Sequence, residues 1–203
     1  MTVLVGIAGG SGSGKSTLAD NIARALPGRV LVIAHDAYYL DRGDLPPDER
    51  ERINFDEPAA LDNDALAADL LALKSGRPVQ RPEYDFATHT RAKQPHRLEP
   101  CPVVVAEGAL LLAIPELCGL FDLRIFVDTP GDIRLLRRIQ RDVLERGRSL
   151  QSIQDQYLRS VRPMHERYVA PSQARAHIVV PEGGQNQECI QDIVARLTRL
   201  LRG

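Results

Sequence analysis

The chain has 203 residues, 43% of them hydrophobic, and a formal net charge of −1. These values are typical of one soluble domain, and a charge so near zero excludes a general attraction to nucleic acid polymers or anionic membranes. Cys101, Cys118 and Cys189 are far apart, which argues against a disulfide framework or a zinc site and favours a reducing, cytoplasmic location.

The first predicted elements open a parallel α/β sheet. Residues 3–8 and 30–34 are almost continuously apolar and rich in valine and isoleucine, which is typical of strands buried on both faces. Residues 16–26 between them have helical spacing and end at a Pro-Gly pair, so the three elements predict a right-handed βαβ unit. The first apolar run is too short to cross a membrane and lacks the basic lead of a signal peptide, so we expect neither secretion nor membrane insertion.

The turn after the first strand carries the motif G-x-x-x-x-G-K-[ST]. It consists of Gly9, Gly10, Ser11, Gly12, Ser13, Gly14, Lys15 and Ser16, followed by Thr17. The glycines let successive N–H groups point at phosphate oxygens, and the next helix adds its positive end. In such a loop Lys15 supplies a charge to the β- and γ-phosphates and Ser16 a magnesium ligand. This phosphate-binding loop, in its strand-to-helix context, predicts ATP binding with Mg²⁺.

Two acidic residues follow predicted strands. Asp36 comes shortly after strand 30–34, and Glu107 directly follows a third buried strand at residues 103–106. Ligands of parallel α/β sheets bind beyond the carboxyl ends of the strands. Both carboxylates are therefore candidate magnesium ligands together with Ser16, although a strand-end acid such as Glu107 can also simply face water.

A helix and an insertion lie between the second and third strands. Residues 61–74 have apolar side chains at three- and four-residue spacing and predict a helix. Residues 78–102 have prolines at their edges and a short run in which Tyr84 and Phe86 share one face. We expect this insertion to form a β-hairpin that projects from the sheet.

The last third completes the sheet and adds a helical lid at about residues 132–160. Two more strands and three helices are predicted there, at residues 123–128, 177–180, 131–145, 150–161 and 187–201. The predicted architecture is a layered α/β domain of the P-loop NTPase type, with about five parallel strands and helices on both faces. One domain spans residues 1–203.

Arginines are concentrated in the predicted lid. Arg134, Arg138 and Arg141 recur at four- and three-residue spacing on one helical face, and Arg146 and Arg148 flank a glycine at the helix end. Beside a phosphate-binding loop, such a face predicts a lid that closes over phosphates. In isolation, the same run is equally typical of a solvated surface with acidic partners.

The other motifs separate the classes of P-loop protein. A GTPase switch needs a base-reading N-K-x-D motif, which the sequence lacks, and a motor is normally larger. Phosphoryl transfer to an alcohol needs a base, magnesium and cations around the phosphate, and each has a candidate here. A small-molecule kinase is the favoured class, and a regulatory module that holds ATP without transferring it is the alternative.

From Gly6 to about Asn186 the chain resembles the uridine-cytidine kinases, which are related to phosphoribulokinase and bacterial pantothenate kinase. The motifs are GGSGSGKST at 9–17, HDAYY at 35–39, NFDEP at 54–58, YDFATHTR at 84–91, EG at 107–108, FVDT at 126–129, and RRIQRD at 137–142 with ERGR at 145–148. The resemblance implies transfer of the ATP γ-phosphoryl group to the 5′-hydroxyl of uridine or cytidine, in pyrimidine salvage. The nearest alternative is a sibling kinase that acts on pantothenate, a sugar phosphate or glycerate.

The resemblance also implies catalytic roles. Asp36 would take the proton of the acceptor hydroxyl and could meet magnesium through water. Lys15, Arg141 and Arg146 would stabilise the transferred phosphate. Family members tend to form homotetramers and to be inhibited by pyrimidine triphosphates, so we expect a homo-oligomer whose partners are a nucleoside and ATP.

Further positions match the substrate side of the family. Asp56 would hold the ribose 2′- and 3′-hydroxyls, which a carboxylate can accept as a pair. Tyr84 and His89 would contact the 4-position of the pyrimidine, and Phe86 would pack on its ring. The remaining substrate-side positions are Tyr39, Arg138, Arg148 and Gln156. For the hairpin residues, simple packing and an exposed turn are the alternatives.

Overall fold

The computed structural model describes residues 2–50, 52–86, 88–92 and 94–202, without the side chains of residues 47 and 48. The strands are β1 (Val3–Ala8), β2 (Val30–Ala34), β3 (Val79–Arg81), β4 (Tyr84–Asp85), β5 (Thr90–Arg91), β6 (His96–Leu98), β7 (Val103–Glu107), β8 (Leu123–Asp128) and β9 (Ile178–Pro181). The α-helices are α1 (Lys15–Ala25), α2 (Pro47–Arg50), α3 (Asn63–Lys74), α4 (Pro115–Cys118), α5 (Gly131–Leu144), α6 (Leu150–Gln156), α7 (Arg162–Met164), α8 (Ala170–Ser172) and α9 (Gln187–Leu200).

The central sheet has five parallel strands in the order β2-β7-β1-β8-β9. All six residues of β1 are buried, as expected for a strand covered on both faces. One face packs on α3 and α4 through a cluster that includes Leu66 and Leu70, and the other packs on α1 and α9 through Leu18 and Ile193. Burial of each such side chain contributes roughly 1.5–3 kcal/mol. The predicted parallel sheet with helices on both faces is confirmed.

The strand order decides which loops meet. β1 and β2 follow each other along the chain, but in the sheet β7 lies between them. The last residue of β7, Glu107, is in register with Ile7 of β1 and Ala34 of β2. Because all three strands are parallel, the phosphate-binding loop after β1 and Asp36 after β2 lie on either side of Glu107.

The insertion forms two short ladders rather than one continuous hairpin. β3 pairs with β6, and β4 pairs with β5, so that Tyr84 lies opposite Arg91. Pro82 stands between the two ladders and has no N–H with which to continue the pairing. The β4–β5 ladder is hydrogen-bonded to the rest of the domain through Arg91. This side chain donates from Nε to the Tyr39 carbonyl at 2.9 Å and from Nη2 to Asp62 Oδ2 at 3.1 Å.

The helical lid extends further than predicted. The helix predicted over residues 150–161 begins as α6 but continues through α7 and α8 to Arg175, with π-helical turns at Tyr157–Val161 and His165–Val169. Pro163 and Pro171 lie within this helical path, although proline lacks the N–H that an α-helix needs. Each proline follows a π-helical turn, where the hydrogen-bond ladder is already rearranged, so the helical path continues.

Within the described ranges, no helix combines the length and the apolar character that crossing a membrane requires. The other predicted helices and strands have boundaries that match the observed ones to within two residues. The largest such shift is at α3, which begins at Asn63 instead of residue 61 because Asp62 caps it, accepting the Ala65 N–H at 3.1 Å.

Candidate active site

The phosphate-binding loop is held in shape by its own backbone and by β8. Gly12 has a positive φ of 78°, and a Cβ there would overlap the carbonyl oxygen of Arg134, so only glycine fits. The Ser13 N–H donates to the Gly10 carbonyl at 3.0 Å, and the Thr129 hydroxyl donates to the Ser13 carbonyl at 2.9 Å. The predicted ATP-binding residues, 9–17, all lie in this loop and the first turn of α1.

Lys15, Ser16 and Glu107 lie together at the start of α1. The Ser16 hydroxyl donates to Glu107 Oε1 at 3.0 Å, and Lys15 Nζ donates to the Gly10 carbonyl at 3.2 Å. Burial lowers the pKa of Lys15 below its usual range, against the opposing charges of Glu107 and Asp36. Burial raises the pKa of Glu107, while Lys15 opposes this shift and the charge of Asp36 adds to it. The predicted magnesium ligands therefore form one electrostatic cluster.

A cleft of about 440 Å³ opens beside this cluster. Its walls come from the phosphate-binding loop, the turn after β2, the segment before α3, the turn after β7 and the π-helical part of the lid. The lining residues are Gly10, Ser11, His35, Asp36, Tyr39, Phe55, Asp56, Leu61, Ala109, Leu110, Val161, Met164, His165 and Val169. Of the predicted substrate residues, Asp36, Tyr39 and Asp56 line the cleft directly.

Asp56 is held by the lid and by its own loop. The Ser160 hydroxyl donates to Asp56 Oδ2 at 2.6 Å, and the Asp56 N–H donates to Asn54 Oδ1 at 3.1 Å. Burial raises the pKa of Asp56, and the hydrogen bond from Ser160 and the charge of Arg138 work in the opposite direction. The carboxylate is thus kept partly desolvated with one oxygen already oriented.

The predicted aromatic residues of the hairpin meet the cleft through Tyr39 and Phe55. The Tyr39 ring centroid lies 5.1 Å from that of Tyr84 and 6.3 Å from that of Phe86. His89 stacks on Phe55, with centroids 4.6 Å apart and planes 12° apart. His89 also has a left-handed backbone with φ 56°, and such conformations often mark functional sites. The hairpin therefore packs against two residues that line the cleft, and Tyr84, Phe86 and His89 are not themselves among the lining residues.

The Tyr84 hydroxyl has an unusual environment. Tyr84 is only 7% exposed, and its hydroxyl group is buried without a hydrogen-bond partner among the described residues. Burial raises the pKa of this phenol to about 12, so it stays a donor at physiological pH. A buried polar group that lacks a protein partner is destabilising unless a ligand satisfies it. Phe86, by contrast, is 40% exposed and packs edge-on against Tyr84.

Three of the lid arginines contact predicted site residues. Arg138 is 6% exposed, and it donates to Ser11 Oγ at 3.0 Å and to Gln156 Oε1 at 2.8 Å. Arg148 donates to the same Gln156 oxygen at 2.5 Å. The guanidinium of Arg146 lies 4.7 Å from the Phe86 ring centroid. For Arg138, the alternative of a solvated surface is therefore wrong.

Several residues of the site were not predicted. Phe55 and Asp142 lie inside motifs that the resemblance used, yet they carried no assigned role. Ser160 falls inside the predicted second lid helix, where nothing in the sequence marked its contact with Asp56. His165 lies beyond that predicted helix. It accepts a hydrogen bond from Arg134 Nη2 at 3.1 Å, and burial lowers its pKa to about 4.

Comparisons with known proteins identify the family and the fold of the chain. The family described as "Phosphoribulokinase / Uridine kinase family" matches residues 4–188. A uridine kinase from Bacillus anthracis is 44% identical over 200 residues, which cover 98% of this chain and 94% of the relative. Phosphoribulokinase from Rhodobacter spheroides has a TM-score of 0.67 at 16% identity, covering 89% of this chain and 70% of that one. D-glycerate 3-kinase from Cryptococcus neoformans has a TM-score of 0.63 at 16% identity, covering 89% and 86%.

Proposed function

The chain belongs to the phosphoribulokinase / uridine kinase family, and from that premise we propose that it phosphorylates the 5′-hydroxyl of uridine or cytidine with ATP. One observation carries the proposal beyond family membership. The same cleft is lined by Gly10 and Ser11 of the phosphate-binding loop and by the carboxylates of Asp36 and Asp56. A phosphate donor and an alcohol acceptor can therefore meet within one cleft.

Asp36 is the base of the proposed reaction. It orients the 5′-hydroxyl and accepts its proton as the oxygen attacks the γ-phosphorus, while the bond to the β-phosphate oxygen breaks and ADP leaves. Lys15, Arg141 and Arg146 balance the charge of the transferred group, because phosphoryl transfer depends mainly on positioning and electrostatic stabilisation. The proton passes from Asp36 to solvent after the product leaves.

The acceptor is recognised by side chains from three segments. Asp56 accepts hydrogen bonds from the ribose 2′- and 3′-hydroxyls, with Ser160 holding its other oxygen at 2.6 Å. Tyr84, whose buried hydroxyl has no partner among the described residues, and His89 bind the polar edge of the pyrimidine. Phe55 stacks on His89 and lines the cleft, so it fixes that ring beside the base.

Magnesium fits the cluster at the start of α1. The Ser16 hydroxyl lies 3.0 Å from Glu107 Oε1, and the charge of Asp36 acts on both Glu107 and Lys15. Hydroxyl and carboxylate oxygens are the ligands that Mg²⁺ takes in nucleotide sites. We propose that Ser16, Glu107 and Asp36 hold the ion, which when bound neutralises phosphate charge. Homo-oligomerisation stays a prediction from the resemblance, and a cytoplasmic location stays a prediction from the widely spaced cysteines.

An acceptor panel tests the proposed function. The purified chain is incubated with ATP, Mg²⁺ and, in turn, uridine, cytidine, pantothenate, ribulose 5-phosphate and glycerate. ADP release is followed continuously, and products are identified by mass. Formation of UMP or CMP supports the proposal. Turnover of another acceptor favours a sibling kinase, and ATP binding without any product favours the regulatory module.

A further inference from the structure

One carboxylate lies at the centre of the lid's arginines. Asp142 on α5 is 0% exposed, and side-chain nitrogens of four arginines lie within 3.6 Å of its oxygens. The four are Arg138, Arg141, Arg146 and Arg148. A carboxylate is almost never buried so completely unless it is paired with cations. This carboxylate has no role in the reaction described above.

The two oxygens of Asp142 face different pairs of arginines. Oδ1 accepts from Arg141 at 2.9 Å and 2.7 Å, and Arg146 Nη1 lies 3.6 Å from it. Oδ2 lies 3.5 Å from Arg148 Nη1 and 3.6 Å from Arg138 Nε. The first pair is the one proposed to stabilise the transferred phosphate, and the second pair belongs to the substrate side. The Asp142 side chain therefore contacts both pairs of arginines.

The substrate-side pair, Arg138 and Arg148, also contacts the phosphate-binding loop through Arg138. Arg138 and Arg148 both donate to Gln156 Oε1, and Arg138 also donates to Ser11 Oγ at 3.0 Å. The Arg148 backbone N–H donates to the Asp142 backbone carbonyl at 3.0 Å, so the segment after α5 turns back toward the last turn of that helix. A displacement of the Asp142 side chain would thus change the positions of the lid arginines and, through Arg138, the contact with Ser11 of the loop.

Charge gives the second argument. Four guanidinium groups repel one another when they share a partly buried site, and one buried carboxylate offsets part of this repulsion. Their four positive charges and the one negative charge of Asp142 leave a net charge of +3 for a polyphosphate ligand. We propose that Asp142 is a positioning residue, which holds the four arginines in the arrangement that phosphoryl transfer requires. This inference rests on the proposed function.

The test separates positioning from simple structural support. Asp142→Asn keeps the shape of the side chain and removes its charge. We expect kcat to fall on the order of 100-fold, the size of effect that misplaced catalytic groups produce. We expect the Kd of a fluorescent ADP analogue to be unchanged or lower, because the lid gains one net positive charge. A merely structural residue would instead weaken nucleotide binding together with thermal stability.

Asp155→Asn is the matched control. Asp155 is an exposed carboxylate in the neighbouring helix α6, and it accepts from Gln151 Nε2 at 2.9 Å. Its substitution should leave kcat and the nucleotide Kd at wild-type values. A kcat for Asp142→Asn within about threefold of wild type overturns the proposal, and so does parallel loss of nucleotide affinity and thermal stability.

A second variant covers the case in which Asp142→Asn does not fold. Asp142→Glu keeps the charge but shifts it by one methylene group, so kcat should fall about tenfold with nucleotide affinity preserved. Wild-type kcat in this variant, or failure of both variants to fold, overturns the positioning role. The acceptor panel on the wild-type enzyme tests the proposed function separately, since the Asp142 comparison uses whichever acceptor is turned over.

Discussion

The two sides of the cleft are built in different ways. The donor side consists of a continuous backbone segment, residues 9–17, and carboxylates at the ends of adjacent parallel strands. The acceptor side consists of side chains from the segment before α3, the hairpin and the lid. Backbone geometry leaves little freedom to change the donor, whereas side chains can be exchanged one at a time. The acceptor side is therefore where we expect kinases of this fold to differ.

Each side of the cleft has a partly buried carboxylate whose charged form is disfavoured by desolvation. Burial raises the pKa of Glu107 on the donor side and of Asp56 on the acceptor side. On the donor side a fixed cation, Lys15, opposes the shift, and on the acceptor side the Ser160 hydroxyl and Arg138 do so. The donor side is thus preassembled around the opposite charges of Lys15 and Glu107. The acceptor side is preassembled around hydrogen bonds that the lid supplies.

Asp36, where the two sides meet, should show the largest effect. Asp36→Asn removes the base and should lower kcat by roughly 10²- to 10⁴-fold, the range for general base catalysis. The Kd of ATP should stay close to wild type, because the loop that binds phosphates is unchanged. Steady-state rates and nucleotide titration measure the two quantities. A kcat near the wild-type value would show that another group takes the proton.

Glu107 tests the donor side alone. Glu107→Gln should raise the Mg²⁺ concentration for half-maximal rate roughly 10- to 100-fold, as loss of a metal-supporting carboxylate does elsewhere. The increase should be equal with uridine and with cytidine, since the residue lies on the donor side. Magnesium titrations of the rate with each acceptor provide the measurement. A change that depends on the acceptor would contradict the division between the two sides.

Tyr84 tests the acceptor side alone. Tyr84→Phe removes a buried hydroxyl that has no hydrogen-bond partner among the described residues. The KM of the nucleoside should rise roughly tenfold while the KM of ATP stays constant, and the ligand-free protein should gain up to about 1 kcal/mol of stability. Steady-state kinetics and urea unfolding measure these values. Unchanged nucleoside KM would assign Tyr84 to hairpin packing.

Arg91 should give the smallest effect, because it acts only through the position of the hairpin. Arg91→Gln removes donors to the Tyr39 carbonyl and to Asp62, which should cost about 1–2 kcal/mol of stability and raise the nucleoside KM a few-fold. The kcat should change less than about twofold. Arg97→Gln, which breaks an exposed pair with Glu99, is the control and should change neither value.

Predictions from the sequence were most accurate where the structure depends on residues that are close together along the chain. The five strands of the sheet, the phosphate-binding loop and the closeness of Glu107 to Ser16 all follow from apolar runs and from a glycine motif between a strand and a helix. The resemblance added Asp56 and Tyr39, which do line the cleft. The lid helix was predicted to end at residue 161 but its path continues to Arg175, because π-helical turns before Pro163 and Pro171 cannot be recognised from the spacing of apolar residues.

The sheet, the donor loop and the arginine-rich face could be predicted from the sequence alone, because each depends on periodicity or on a motif of consecutive residues. Three contacts became known only from the folded chain: Phe55 stacks on His89, Ser160 donates to Asp56, and four arginines surround Asp142. The first two contacts join residues far apart in the chain, so they depend on how the hairpin and lid pack. For Asp142 the partners are close in sequence, but spacing alone does not show that all four side chains turn toward one carboxylate.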